Sequence, residues 1–119
     1  MLYAGIEIQK IRSDFKIIIT KGENTEEIVK KIFGNKTPSW LELFNQTNQI
    51  VDFLELSSCF VSCSIYETFS NAIAEATIAG IPVVQSDIAG TLWNAENPST
   101  FMFKSKDVSS LTTALLSVM

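Results

Sequence analysis

The sequence predicts an α/β fold in which a parallel sheet has helices on both faces. Short apolar runs rich in β-branched residues recur along the chain, and each is too short for a stable helix. Segments with amphipathic helical spacing separate these runs, and strands that alternate with such helices form parallel sheets. With 119 residues, of which 46% are hydrophobic, the chain is expected to form one domain over 1–119.

The first half of the chain contains two helix–strand pairs. Apolar residues at helical spacing predict a helix over 1–12, and the run FKIIIT predicts a buried strand over 15–20. Acidic residues in the first turn and a Gly-Asn pair after the last turn predict a helix over 25–33. A short strand is predicted over 40–44. These segments form the first part of the predicted sheet and its helices.

The second half continues the same alternation, with helices predicted over 48–57, 70–79 and 107–118 and strands over 59–62, 82–85 and 100–103. Pro82 stands at the first position of its strand, where a missing N–H group is tolerated. Asp107 is the expected N-cap of the last helix. The segments around Ala89-Gly90 and from Asn94 to Ser99 are predicted to be loops.

Ligands of such sheets bind beyond the carboxyl ends of the strands, at a point where the strand order reverses. The loops of interest therefore follow Thr20, Phe44, Ser62 and Gln85. The loop after Ser62 is the most informative, because it leads directly into a helix and contains an acidic residue.

The composition excludes several function classes. The chain has nine Lys and Arg residues and thirteen Asp and Glu residues. The resulting net charge of -4 argues against nucleic acid as a partner. Histidine is absent, which removes hydrolase mechanisms that depend on imidazole. Cys59 and Cys63 are interpreted as buried reduced thiols, which indicates a cytoplasmic setting. No apolar run approaches the ~20 residues of a membrane-spanning helix.

The helix start after this loop is a potential anion site. Ser70 and Asn71 lie near the first turn, where backbone N–H groups have no partner inside the helix and the helix dipole is positive. Such an end suits a diphosphate.

Two glutamates accompany this helix start. Glu75 shares a helix face with Asn71 and Ala79, so its carboxylate can turn toward a ligand along the helix. A carboxylate that accepts from two vicinal hydroxyls suits a ribose. Glu67, on the loop, would face whatever lies beyond the phosphates.

The stretch from Tyr66 to Asp87 resembles the signature of retaining glycosyltransferases of the GT-B fold, family 4 (glycosyl transferases group 1). The signature reads Ser-x-x-Glu-x-Phe, seven residues between the two acids, Glu-Ala, and a Gly-x-Pro-Val-Val strand. The matching residues are Ser64, Glu67, Phe69, Glu75, Ala76, Gly80, Pro82, Val83 and Val84. The resemblance extends over most of the chain and implies the Rossmann-like, donor-binding C-terminal half of a GT-B enzyme.

The resemblance implies a role for each matched position. Glu75 would hold the ribose hydroxyls of a UDP- or GDP-sugar, and Glu67 would act as the catalytic residue at the donor sugar. Backbone N–H groups would meet the sugar and diphosphate at Thr68, Phe69, Ser70 and Asn71, and the turn Lys21-Gly22 would flank the base. No metal or other cofactor is expected, since no Asp-x-Asp motif is present. The nucleotide sugar is a substrate.

The sequence also departs from the family pattern. Cys63 stands where the family often has proline, and Thr68 or Ser70 where it often has glycine. The basic pair that clamps the diphosphate precedes the first helix of this domain in the family, so we expect an N-terminal truncation and an acceptor-binding domain as partner. The full enzyme would transfer a hexose to a glycan or lipid-linked acceptor with retention, peripherally at the inner membrane face. A non-catalytic binding or scaffold module is the alternative.

Overall fold

Strands and α-helices alternate along the whole chain in the computed structural model, which describes residues 1–119. The strands are β1 (Ile17–Thr20), β2 (Leu41–Phe44), β3 (Phe60–Ser62), β4 (Val83–Ser86) and β5 (Thr100–Phe103). The helices are α1 (Leu2–Gln9), α2 (Thr25–Phe33), α3 (Ile50–Glu55), α4 (Asn71–Ile78) and α5 (Val108–Val118). The predicted α/β order is confirmed.

One element differs from the prediction. Residues Ala89–Asn94 form a 3₁₀ helix, whereas the sequence predicted a loop there. This segment contains a glycine and has no helical spacing of apolar residues. Its contacts with the rest of the protein, described below, explain why it is ordered.

All strand pairs are parallel, but the strands form two sheets rather than one. β1 pairs with β2, and β3, β4 and β5 pair in that order. No backbone hydrogen bond joins β1 to β3. Because all strands of the three-stranded sheet run the same way, the carboxyl ends of β3, β4 and β5 lie at one edge.

Helices cover both faces of the three-stranded sheet. Val84 packs in a core with α1, α5 and Phe103 of β5. The other buried residues of this core are Ala4, Ile8, Leu111, Ala114 and Leu115. Val83, the neighbouring residue of β4, points the other way and packs with Leu54 of α3 and with Ile73 and Ala76 of α4. Side chains of a strand alternate between faces, so these two valines attach the sheet to two helix layers.

The two-stranded sheet packs around a tryptophan. Trp40 is buried with Val29 and Leu41, and its ring stacks on Phe15 with centroids 5.6 Å apart. Its indole Nε1 donates a hydrogen bond to Gln9 Oε1 at 2.8 Å. This bond joins the end of α1 to the residue that precedes β2. Asp107 caps α5 as predicted, since its side chain accepts from the N–H of Ser110 at 2.9 Å.

Both cysteines are free, and only one fits the predicted burial. Cys59 is half-buried, and this burial raises the pKa of its thiol. Cys63 is exposed, so the prediction of a buried thiol is wrong there. The reason is that β3 ends at Ser62, which places Cys63 in the following loop. No helix in the structure combines the length and apolar character needed to cross a membrane.

Candidate functional site

The loop between β3 and α4 lies at the edge formed by the strands' carboxyl ends. It follows Ser62, the last residue of β3, and ends at Ser70, the N-cap of α4. The hydroxyl of Ser86, at the end of β4, donates to the carbonyl oxygen of Ser64 at 2.6 Å. This bond holds the loop against the neighbouring strand, in the position where parallel sheets bind ligands.

Glu67 is half-buried in this loop, with one of its carboxylate oxygens engaged. Ser64 Oγ donates to Glu67 Oε1 at 3.0 Å, which orients the carboxylate. Glu67 Oε2 accepts no hydrogen bond from the chain and forms no ion pair. An oriented carboxylate with a free oxygen can accept a hydrogen bond from a hydroxyl or stabilise a nearby positive charge.

Gly90 of the 3₁₀ helix packs directly on the backbone of Glu67. A Cβ atom at Gly90 would lie 2.5 Å from the carbonyl carbon of Glu67 and 2.9 Å from its Cβ. Only glycine permits this approach. The position of Glu67 therefore depends on packing against a segment that follows β4 in the sequence.

The end of the loop and the start of α4 contain backbone N–H groups that have no partner in the chain. The N–H groups of Thr68, Phe69, Ser70 and Asn71 donate to no group of the chain. The hydroxyl of Ser70 is occupied, because it accepts from the N–H of Ile73 at 3.3 Å as an N-cap. Ser70 is buried, whereas Thr68, Phe69 and Asn71 are exposed. The exposed groups, next to the positive end of the helix dipole, can bind an anion.

Glu75 lies farther along α4 and is exposed. It has no salt bridge, and its side chain accepts no hydrogen bond. Asn71, one turn earlier on the same side of the helix, is also exposed. Both carboxylate oxygens of Glu75 are thus free to accept hydrogen bonds from a ligand along this face.

The Lys21-Gly22 turn lies at the end of β1, in the other sheet. Lys21 Nζ forms an ion pair with Glu26 Oε1 at 2.8 Å, and this pairing lowers the pKa of the Glu26 carboxyl. The N–H of Gly22 donates to Thr25 Oγ1 at 2.8 Å. These bonds connect the turn to the start of α2, and no hydrogen bond connects it to the Glu67 loop.

Trp93 is a further residue of this region that the sequence analysis did not single out. Its ring stacks on Phe69 with centroids 4.9 Å apart and planes 21° apart. Its indole Nε1 donates to the carbonyl oxygen of Gly90 at 3.0 Å. The contact joins residues far apart in sequence, so local spacing contains no signal for it.

A buried polar network holds the 3₁₀ helix in place. Gln85, fully buried in β4, donates from Nε2 to the carbonyl oxygen of Thr91 at 2.7 Å. Asn94 Nδ2 donates to Gln85 Oε1 at 3.1 Å, and Thr91 Oγ1 donates to the carbonyl oxygen of Ser86 at 2.6 Å. No buried side-chain N or O atom of the chain lacks a partner. A fully satisfied network of this kind rigidifies the segment that contains Gly90 and Trp93.

The family model described as glycosyl transferases group 1 matches residues 4–119. The chain belongs to this family. A search among curated proteins gives no match to the chain. The matched range includes both sheets and the whole loop, so the chain is a glycosyltransferase domain with a Rossmann-like α/β fold.

In this glycosyltransferase domain, one short segment brings most of the predicted site residues together. Glu67 and the N–H groups of residues 68–71 are contiguous, and Glu75 follows on α4. Lys21 and Gly22 follow a strand of the other sheet and share no hydrogen bond with them. No three His, Cys, Asp or Glu side chains are grouped so that they could hold a metal ion.

The loop is largely exposed, since Ile65, Tyr66 and Phe69 are each more than half accessible to solvent. Two concavities of the chain lie elsewhere, one between β5 and α5 and one between the end of α4 and the starts of β4 and β5. A ligand of the Glu67 loop would therefore rest on an exposed surface of this domain. Binding pockets for small molecules usually enclose most of their ligand, which favours weak binding by these residues alone.

Proposed function

We propose that this chain binds the donor of a glycosyl transfer, a UDP- or GDP-linked hexose, at the carboxyl edge of the three-stranded sheet. The observation that supports this most is the position of an oriented carboxylate, Glu67, directly before exposed and unpaired N–H groups at the start of α4. The carboxylate suits a sugar hydroxyl, and the N–H groups suit a diphosphate. Together they match the two ends of a sugar–diphosphate linkage.

The backbone donors would act on the leaving group. Negative charge grows on the diphosphate as the bond to the sugar breaks, and fixed N–H groups stabilise charge where it develops. Thr68, Phe69 and Asn71 are exposed residues whose N–H groups have no partner in the chain. Their positions are fixed by the helix start, so little reorganisation is needed when the charge appears.

Glu67 would act at the sugar itself. Its free Oε2 can stabilise positive charge at the anomeric carbon, while the bond from Ser64 to Oε1 keeps the carboxylate oriented. Transfer would proceed with retention. Glu75 would accept hydrogen bonds from the two ribose hydroxyls, which orders the donor along α4 as ribose, diphosphate and sugar.

The rest of the reaction requires groups that this surface lacks. No Lys or Arg side chain hydrogen-bonds to the Glu67 loop, so we propose that cations outside this surface complete the charge complement of the diphosphate and that an acceptor-binding domain is the partner. The acceptor would be a glycan or a lipid-linked sugar, in polysaccharide or glycoconjugate synthesis at the cytoplasmic face of a membrane. Neither a metal nor another cofactor is proposed, and the Lys21-Gly22 turn is proposed only to flank the base.

Calorimetric titration with UDP, GDP, UDP-glucose and GDP-mannose tests the donor site. We expect one nucleotide series to bind at millimolar concentrations and Glu75→Gln to weaken it by roughly tenfold, the cost of losing a hydrogen bond to a charged group. Glu55→Gln is the matched control, because Glu55 is also an exposed helical glutamate but lies on α3. We expect no steady transfer by these residues alone.

Two results would contradict the proposal. Absence of binding by all four nucleotides, with an intact fold by circular dichroism, would favour the non-catalytic scaffold module. Equal affinities of the wild-type chain and Glu75→Gln would remove Glu75 from the site. The Glu55→Gln control separates a specific effect from the general effect of one negative charge less.

A further inference from the structure

An exposed aromatic pair lies next to the Glu67 loop. Phe69 and Trp93 stack on each other, and yet 51% of Phe69 and 44% of Trp93 remain exposed. Stacking covers one face of each ring, so the exposure comes from the outer faces and the edges. Two half-exposed rings stacked at one place form a flat apolar surface.

The pair is held rigidly. The indole N–H of Trp93 is bonded to the carbonyl oxygen of Gly90, and the buried Gln85–Asn94 bond fixes the 3₁₀ helix beneath. Phe69 in turn directly precedes Ser70, the N-cap of α4. Rings fixed in this way lose little conformational freedom when a ligand stacks on them.

The neighbouring polar groups indicate which ligand would stack. The carbonyl oxygen of Gly90 accepts the hydrogen bond from Trp93, and Gly90 also packs on the backbone of Glu67. A flat apolar surface beside an oriented carboxylate suits a pyranose ring, whose C–H groups form an apolar face and whose hydroxyls project around its rim. A nucleobase is also flat, but the proposed ribose ligand Glu75 lies farther along α4, well inside the helix, whereas Phe69 precedes its N-cap.

We propose that the Phe69–Trp93 pair is a stacking platform for the sugar ring of the donor, with Glu67 accepting one of that sugar's hydroxyls. The platform rests on the donor site proposed above and adds the residues that recognise the hexose. The platform would recognise the C–H face of a pyranose, and this contact does not involve the nucleotide.

Nuclear magnetic resonance can test the platform independently of nucleotide binding. The chain has two tryptophans, so a ¹⁵N-labelled sample gives two indole N–H signals. Trp40 is buried with 3% exposure and serves as the internal control. We expect methyl α-D-glucopyranoside or methyl α-D-mannopyranoside to shift the Trp93 signal and leave the Trp40 signal in place. UDP-glucose or GDP-mannose should shift the Trp93 signal more than UDP or GDP does.

Variants extend the test to affinity. We expect Trp93→Leu to weaken calorimetric binding of the nucleotide sugar about fivefold, within the range that aromatic contacts contribute, and to weaken binding of the free nucleotide less. Trp93→Phe retains an aromatic ring and should keep most of the affinity. Leu92→Ala is the control, since Leu92 is exposed on the same 3₁₀ helix but belongs to no aromatic stack.

The outcomes separate this inference from the proposed donor site. If nucleotides bind but neither glycosides nor the sugar part of the donor moves the Trp93 signal, the platform is wrong and the donor site stands. If UDP alone shifts Trp93 as much as UDP-glucose does, the sugar adds nothing at the pair and the platform is also wrong. If glycosides shift Trp93 while no nucleotide binds, the platform stands and the donor site fails.

Discussion

Gly90→Ala is the sharpest perturbation of the proposed donor site, because it acts on Glu67 without changing any proposed ligand-binding side chain. The added methyl group would lie 2.5 Å from the carbonyl carbon of Glu67 and 2.9 Å from its Cβ. Carbon atoms normally approach to about 3.5–4.0 Å, so the loop and the 3₁₀ helix must separate by about 1 Å. Both partners are backbone or Cβ atoms, which cannot rotate away as a flexible side chain would.

The magnitude follows from this displacement. Overpacking in a close-packed region costs about 1–3 kcal/mol of unfolding free energy. Moving Glu67 by about 1 Å breaks the geometry of its contact with the sugar, so we expect nucleotide-sugar affinity to fall by roughly tenfold, as for loss of one hydrogen bond to a charged group. In the complete enzyme, a misplacement of about 1 Å would reduce transfer on the order of a hundredfold.

Urea unfolding followed by circular dichroism and calorimetric titration with UDP-glucose and GDP-mannose measure the two effects. Gly34→Ala is the matched control: Gly34 has φ 69° and no atom near its missing Cβ. Its substitution costs about 1–3 kcal/mol through backbone strain alone and should leave binding unchanged. The reasoning is refuted if Gly90→Ala retains both the stability and the affinity of the wild-type chain, or if Gly34→Ala weakens binding equally.

Four further predictions concern stability and titration. Asn94→Ala leaves a buried amide oxygen without its donor and should cost about 1–3 kcal/mol in urea unfolding. Asp107→Ala removes the cap of α5 and should cost about 1 kcal/mol in the same assay. Gly5→Ala places a methyl group 2.5 Å from the ring of Trp40 and should lower the thermal midpoint; an unchanged midpoint would contradict the packing described. The ion pair with Lys21 lowers the pKa of the Glu26 carboxyl. Its contribution to the free energy of unfolding is therefore present at neutral pH and is lost as the pH falls through that lowered pKa. Lys21→Met should return the pKa of Glu26 toward its ordinary value, as measured by carboxylate NMR titration.

The fold could be predicted because its elements are encoded locally. The run Ile17-Ile18-Ile19 and the segment Pro82–Gln85 are short, β-branched or bounded by turn residues, and both are strands. The division into two sheets could not be predicted in this way. Strand pairing depends on which strands lie side by side in the folded protein. The apolar sequence of one strand does not identify its neighbour.

The candidate site could be predicted only where it is contiguous in sequence. Glu67 and the start of α4 belong to one loop and one helix, so the boundary between strand and helix was enough to locate the unpaired N–H groups. The 3₁₀ helix was missed because its order comes from tertiary hydrogen bonds rather than from periodicity. Gln85 was a possible signal, since a long polar side chain inside a buried strand requires partners.

The Glu67 loop is supported by the end of β4 and by the segment that follows it. Three contacts support the loop, namely the Ser86 bond to Ser64, the packing of Gly90 on Glu67 and the stacking of Trp93 on Phe69. All three come from residues 86–93, and the buried Gln85 and Asn94 side chains hold that segment. Substitutions at Ser86 and Gly90, which touch no proposed ligand, should therefore alter donor binding as strongly as substitutions in the loop itself. The conformation of the acidic motif therefore depends on Ser86, Gly90 and Trp93, which lie well outside it in the sequence.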